Sequence, residues 1–312
     1  MIIYAVNINS GGGQVLLDAV IKNKDFGEVT KLFIDERSKS KYEGIEVHKI
    51  KPSLWSRYAA EYELQKYCRS NPNQQVLFFG NLPPVFKISA NCSLFLQNAY
   101  LLKTINLPKP IKQKIRYIYE RAIFYTFTKK RINEVFVQTK WMKENLKTAY
   151  KGLISVKKVY PILPKTPDFK QEIKDPKILV ITGPEPHKNL NKLKEALETI
   201  RENITIRVVT SSPIHLKNPR INLEVIQSAS RVEIFELYNS STHLVALSDF
   251  ESFCLPLYEA KHFKLKIIAP IKGYITKEVY PDYIIENILP IEIAKTLVQA
   301  IYEFKTGGSL NG

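Results

Sequence analysis

Hydrophobic residues fall in short continuous runs, separated by longer stretches in which they recur every three or four positions. Residues 2–8, 29–34, 45–49, 75–80, 93–96, 134–139 and 156–160 read as strands. Between them, 14–22, 53–69, 111–125 and 141–150 have helical spacing. The pattern restarts with strands at 178–182, 204–210, 222–226, 242–247 and 266–270. Helices are expected at 191–200, at 232–238, from about 255, and at 291–304. A run such as Ile178-Leu179-Val180-Ile181 is apolar on both faces, as in a parallel sheet covered by helices on both sides. Strands alternating with helices place the chain in the α/β class.

A break lies at Pro161-Ile162-Leu163-Pro164-Lys165-Thr166-Pro167, where three prolines in seven residues mark a stiff connection. The charge balance changes there too. Residues 1–164 carry 27 Lys and Arg against 12 Asp and Glu, whereas 165–312 carry 19 against 18. The boundary is therefore set between an N-terminal domain, 1–163, and a C-terminal domain, 164–306, with 307–312 as a tail. A net charge of +16 concentrated in the first half points to an anionic partner for that half.

Composition narrows the field. A hydrophobic content of 45% with 11% aromatics describes a folded globular protein. No apolar run approaches the ~20 residues that span a bilayer, and residue 2 opens directly into a strand with no leader pattern. Cys68, Cys92 and Cys254 lack metal-type spacing and fit reduced thiols, and the five histidines are scattered. Neither metal nor cofactor is expected.

The most informative stretch is Ser248-Asp249-Phe250-Glu251-Ser252-Phe253-Cys254-Leu255-Pro256-Leu257-Tyr258-Glu259-Ala260, directly after a strand. Pro256 suits a first helical turn, where its missing N–H costs nothing. A helix starting near Leu255 aims free backbone donors at the crevice that holds Glu251, and Glu259 follows about a turn later. Helix N-termini bind anions, and carboxylates grip hydroxyls, so the combination suits a nucleotide sugar. The plainer alternative is two solvated acids beside a buried helix. Upstream, Gly183-Pro184-Glu185-Pro186-His187-Lys188-Asn189-Leu190 turns from strand to helix. Lys188 at a helix start opposes the macrodipole, which favours a ligand phosphate nearby.

In the first half, Asn9-Ser10-Gly11-Gly12-Gly13 links a strand to a helix, as in Rossmann-like units. Leu16 stands where a dinucleotide fingerprint needs its third glycine, so NAD is not expected. The loop is either a tight turn or a ligand contact. Gln97 and Asn98, after the strand at 93–96, either bond sugar hydroxyls or cap a loop.

The unit Ser-x-x-Glu-Ser-Phe-x-Leu-Pro-x-x-Glu-Ala between two strands resembles the Glu-x7-Glu signature of retaining glycosyltransferases of family four. Asn81-Leu82-Pro83-Pro84 with the later Gln97-Asn98-Ala99-Tyr100-Leu101 resembles the members that build bacterial O-antigen or capsular polysaccharide. Val137-Gln138-Thr139-Lys140-Trp141-Met142-Lys143 resembles the end of that family's first domain. The likeness spans nearly the whole chain and is strong in the second half. It implies a GT-B architecture, with two Rossmann-like domains facing across a cleft and a final helix that crosses back onto the first. The implied reaction moves a hexose from a UDP- or GDP-sugar to a hydroxyl, with retention and without metal. By that likeness Glu251 holds the donor sugar and Glu259 the ribose hydroxyls, while Lys188, Gly183 and the backbone of Phe253, Cys254 and Leu255 take the diphosphate. Ile226 and Gln227 sit where relatives bind the base. Gly12, Gly13, Gln97 and Asn98 line the acceptor side. Three positions depart from the pattern. Pro184 replaces a phosphate-binding arginine, amides at 97–98 replace a histidine, and Lys264 and Lys266 replace a Gly-x-Pro turn.

Residues 103–147 carry 12 Lys and Arg against 3 Glu. Within them Ile111, Ile115, Ile118, Ala122 and Tyr125 share one helical face, and Lys112, Lys114, Arg116 and Arg121 fall outside it. Aromatics and cations interleaved in this way suit an anionic membrane surface, although a core helix with a solvated basic face reads the same. Nucleic acid is not expected, because no zinc-finger, RNP or helix-turn-helix signature is present. The implied acceptor is a glycan on a polyprenyl diphosphate, and the implied location is cytoplasmic, on the inner face of the cell membrane. Two other readings stay open. One is a nucleotide-sugar epimerase, for which acid/base residues are not evident; the other is a basic lipid- or nucleic-acid-binding protein on an inactive scaffold.

Overall fold

The computed structural model describes residues 1–108, 110–147, 149–150, 152–164, 173 and 175–307. Two compact units result, Met1–Ile162 and Leu163–Gly312. Residues 165–167 of the proline-rich connection and 308–312 of the tail lie outside the described residues.

The first unit runs β1 (Ile2–Ala5), α1 (Gly11–Asn23), β2 (Lys31–Asp35), β3 (Glu46–Ile50), α2 (Leu54–Ser70), β4 (Gln75–Phe78) and β5 (Asn91–Phe95). It continues with α3 (Ile111–Arg131), β6 (Glu134–Val137), α4 (Lys140–Lys147) and β7 (Ile154–Val156). Its seven strands lie in the order β3-β2-β1-β4-β5-β6-β7. All pairings are parallel; Ile2 of β1 faces Lys31 on one side and Val76 on the other. Strand order reverses at β1, so the crevice above β1 and β4 is where such a sheet takes ligands.

The second unit contains β8 (Lys177–Ile181), α5 (Leu190–Thr199), β9 (Ile204–Val209), β10 (Ile221–Ile226) and α6 (Arg231–Asn239). Then come β11 (His243–Val245), α7 (Leu255–His262), β12 (Lys266–Ala269), β13 (Tyr283–Ile284) and α8 (Pro290–Thr306). The order is β10-β9-β8-β11-β12-β13, again parallel, and it reverses between β8 and β11. The loops leaving those two strands carry Lys188 and Glu251, so topology alone brings the two together.

Alternation along β8 separates two cores. Ile178 and Val180 pack with Leu193, Leu197, Leu297 and Ile301 from α5 and α8. Leu179 points to the other face, among Tyr238, Leu257 and Phe263. Each such side chain contributes about 1.5–3 kcal/mol through burial.

Several expectations need correction. Helix α1 begins at Gly11, so Gly12 and Gly13 form its first turn rather than a preceding loop. Gly11 itself has φ +62, a conformation that side chains disfavour. The strand expected at 156–160 lies earlier, at β7, because the backbone of Lys157 is the last to bond its neighbour, at Val137 O. Lys264, where relatives carry glycine, adopts φ 58, so the turn survives with a left-handed lysine.

Candidate active site

Helix α7 starts as its sequence dictates, with Pro256 in the first turn. Its N-cap, Cys254, has φ 56 and no side-chain cap bond. The exposed amide ends of this turn are therefore served by the backbone alone; Leu257 N donates to Cys254 O at 3.1 Å. Phe253 anchors the turn from below, buried and stacked on Tyr258 at 4.1 Å. Leu255 is half-buried at the rim.

The loop before α7 is tied to the loop after β8. Asp249 N donates to His187 O at 2.8 Å. Asn189, left-handed at φ 54, donates Nδ2 to Leu247 O at 2.8 Å and to His187 O at 3.1 Å. The His187 ring stacks on Phe250 at 4.6 Å. Tyr274 OH donates to Ser248 O at 2.9 Å, and Ser248 Oγ donates to Glu251 Oε1 at 2.9 Å. Glu251 is thereby held on its loop, with Lys188 Nζ 3.7 Å and His187 Nε2 3.8 Å from the same oxygen.

Lys188 and Glu251 are both partly open to water, so their mutual attraction is worth at most about 1 kcal/mol. That cation can turn to a phosphate at little cost. Burial pushes the His187 imidazole below its ordinary range, and Glu251 pulls it back only in part. His187 was not picked out by the sequence, although its place beside Lys188 in the loop after a strand was the available signal. Gly183 lies under the Glu185 carboxylate; a Cβ there would meet Glu185 Oε2 at 2.1 Å. Pro184 is exposed and supplies no charge.

Glu259 lies in the second turn of α7. It is 3% exposed, and both oxygens are bonded. Arg231 Nη2 donates to Oε1, and Tyr238 OH donates to Oε2 at 2.8 Å. The Arg231 guanidinium also lies over the Phe235 ring, 4.4 Å from its centroid. Each carboxylate oxygen accepts one of these bonds and keeps a second lone pair. Ile226 ends β10, with its carbonyl accepting from Thr210 N at 2.9 Å, and Gln227 is exposed just beyond.

In the first unit, Gly13 and Gln97 come together. A Cβ on Gly13 would lie 3.1 Å from Ile8 Cδ1 and 3.9 Å from Gln97 Oε1. Gln97 serves its own loop: its N–H donates to Asn81 Oδ1 at 2.6 Å and its Nε2 to Phe79 O at 3.2 Å. Asn98 Oδ1 accepts from Tyr100 N at 3.0 Å and caps the short helix Ala99–Leu101. Both amides thus bond within their own loops, and Gln97 keeps its Oε1 toward Gly13. At the start of α1 opens a cavity of about 510 Å³ lined by Asn9, Ser10, Gln14, Arg37, Lys39 and Ser40. Gly12 is exposed near its mouth.

Residues 164–308 match the family described as glycosyl transferases group 1. That match falls on the second unit. Solved structures resemble the whole chain at low identity. WaaG, a glycosyltransferase involved in lipopolysaccharide biosynthesis, is 15% identical with a TM-score of 0.71, over 97% of this chain and 90% of that one. Alr3699/HepE from Anabaena, in complex with UDP and glucose, is 11% identical with a TM-score of 0.70 over 97% and 90%. Sucrose-phosphate synthase from Thermosynechococcus elongatus is 11% identical with a TM-score of 0.69 over 97% and 89%. These likenesses show the GT-B fold, with two Rossmann-like α/β units. No curated protein matches the chain by sequence.

Within the second unit, the topology gathers Gly183, Lys188, Glu251, Phe253, Cys254 and Leu255 around the switch between β8 and β11. The basic helix of the other unit, α3, departs from a core role over its first half. Ile111, Ile115 and Ile118 are 73%, 62% and 52% exposed, and burial begins only at Ile123 and Phe124. Lys112, Lys114 and Arg116 are exposed beside them. Tyr119 OH lies 3.0 Å from Tyr58 OH of α2, which carries Trp55 at 84% exposure. Arg121 needs correction as a membrane-facing residue. Its guanidinium turns inward and donates to Tyr100 O at 2.8 Å, Leu102 O at 2.6 Å and Ile105 O at 2.5 Å. Among the described residues, no helix is long and apolar enough to cross a membrane.

Proposed function

We propose that this protein is a retaining hexosyltransferase that moves a sugar from a nucleoside diphosphate to a hydroxyl of a lipid-linked glycan, in surface polysaccharide synthesis. The observation that carries the reading is the Lys188–Glu251 pair at the N-terminus of α7, inside the stretch that matches group 1. As the bond between the anomeric carbon and phosphate oxygen breaks, negative charge collects on the departing diphosphate. Lys188 and the first-turn amides of α7 sit where that charge develops, and such preorganised donors account for most of a transferase's rate. Glu251, steadied by Ser248, orients the donor sugar. It acts by binding and by its charge, and no covalent glycosyl-enzyme is invoked. The acceptor hydroxyl forms the new glycosidic bond on the face from which the diphosphate leaves. The reaction as proposed uses no cofactor.

The first unit supplies the acceptor side through Gly12, Gly13, Gln97 and Asn98, of which Gly13 and Gln97 are neighbours. The exposed face made by Trp55, Ile111, Ile115 and Ile118, flanked by Lys112, Lys114 and Arg116, suits an anionic leaflet. That face favours a peripheral location at the inner membrane surface, where a polyprenyl diphosphate acceptor resides. It supports lipid over nucleic acid as the anionic partner, because apolar groups gain nothing from a phosphate backbone.

Thermal unfolding with UDP and GDP tests the donor assignment. One of the two is expected to raise the midpoint, and Lys188→Met is expected to lower kcat about 100-fold while leaving the fold intact. No shift with either nucleotide at millimolar concentration would remove the assignment.

A further inference from the structure

We propose that Arg231 is the second cation of the donor diphosphate site, filling the role left empty at Pro184, and that Glu259 and Tyr238 are the residues that position it. This rests on the nucleotide-sugar reading above and says which side chains of that site meet the phosphates.

Three observations carry it. First, Glu259 is buried and its two oxygens are bonded to Arg231 and Tyr238, so the carboxylate faces protein on both sides. What reaches solvent is the arginine, whose side chain is 32% exposed against 4% for that of Glu259. Second, the group is level with the helix start. Tyr238 OH touches Pro256 O at 3.3 Å as well as Glu259 Oε2 at 2.8 Å. Side chains on a helix lean toward its N-terminus, so Glu259 reaches back to the first turn of α7 and brings the guanidinium with it. Third, burial pushes the Cys254 thiol up, and Glu251, Lys188 and Glu259 all act on it through space. Cys254 is the N-cap of α7. Lys188, Glu251 and Glu259 thus all lie within electrostatic reach of that helix start, and Arg231 is bonded to the last of them.

The chemistry follows from the guanidinium's fixed fork. One N–H is used on Glu259, the ring of Phe235 supports the plane, and the remaining donors, which have no hydrogen-bond partner among the described residues, can match a phosphate edge. Holding such a group in place beforehand spares the rotamer entropy that a flexible lysine would lose on binding. The buried carboxylate keeps the arginine oriented, and the Tyr238 hydroxyl holds that carboxylate in place through its second oxygen. A proline at residue 184 is then tolerable, because α6 supplies the cation instead.

The test is calorimetric titration of the full chain with UDP, UMP and uridine, and with the guanosine series. For the series that binds, Arg231→Gln is expected to weaken the diphosphate about 10- to 100-fold and the free nucleoside less than about 2-fold. Arg231→Lys is expected to recover part of the loss. The double variant Arg231→Gln/Glu259→Gln removes the carboxylate left unpaired and should show the same diphosphate-selective loss. Unchanged diphosphate affinity in Arg231→Gln overturns the assignment. So does an equal loss for diphosphate and nucleoside, which would mark a structural or ribose-side role. Wild-type protein that binds neither diphosphate overturns the donor reading itself, which is a separate failure from an insensitive arginine.

Discussion

Replacing Arg231 with Met would leave Glu259 charged, buried and bonded only to Tyr238. Breaking a fully buried ion pair by removing one partner costs about 3–5 kcal/mol, because the remaining charge has lost its counter-charge and its water. Arg231 is about one-third exposed, so solvent can reach into the space it leaves, and a loss of about 2–3 kcal/mol is expected. For a unit of this size that lowers the melting midpoint by roughly 5–10 °C. Denaturant unfolding of Arg231→Met, Glu259→Gln and the double variant gives the coupling directly. The double variant should be more stable than Arg231→Met alone, with an interaction of at least about 1.5 kcal/mol. If Arg231→Met costs under about 0.5 kcal/mol and the two changes add, the buried pair described here is not maintained in solution. Lys188→Met provides the contrast, since its pair is solvent-accessible and its loss should barely move the midpoint.

Two further outcomes follow from burial and exposure. Burial lowers the His243 imidazole from 6.5 to about 4, with Asp282 opposing and Lys266 adding to the shift. A depressed histidine binds its proton more readily when unfolded, so its contribution is complete above pH 6.5 and is lost as pH falls toward 4. Denaturation midpoints should therefore drop more steeply over that window in wild type than in His243→Asn, by up to about 3 kcal/mol; equal slopes would refute the burial argument. On α3, Ile115→Asp with Ile118→Asp should leave stability within about 0.5 kcal/mol, because both side chains already face water. The same variant should lose flotation with anionic vesicles; retained flotation would exclude this face as the lipid contact.

Local signals in the sequence translated well into structure. The Ser230–Glu233 capping box forms in both directions, with Glu233 N donating to Ser230 Oγ at 3.3 Å and Ser230 N to Glu233 Oε2 at 2.6 Å. Pro256 marked the start of α7, and the strand runs marked both parallel sheets, because burial on two faces leaves an unbroken apolar signature. What the sequence hid was long-range. Arg231 and Glu259 are 28 residues apart, and nothing in either neighbourhood announces their pairing. His187 gains its place from a stack on Phe250, across two loops that only the strand order brings together. The apolar stripe of α3 was visible, but a stripe has the same spacing whether it meets a core or water. Arg121 looked like one more surface cation because its partners are backbone carbonyls, which carry no residue-type signal.

The central claim is that this chain transfers a sugar from a nucleoside diphosphate, using Lys188 and Glu251. Mass spectrometry of the full chain, incubated with a panel of UDP- and GDP-sugars and lipid-linked glycan acceptors, tests it most directly. The expected result is one acceptor gaining the mass of one hexose with release of the matching nucleoside diphosphate, and loss of that product in Glu251→Gln. Release of nucleotide without any acceptor gain, or a product unaffected by Glu251→Gln, would contradict it.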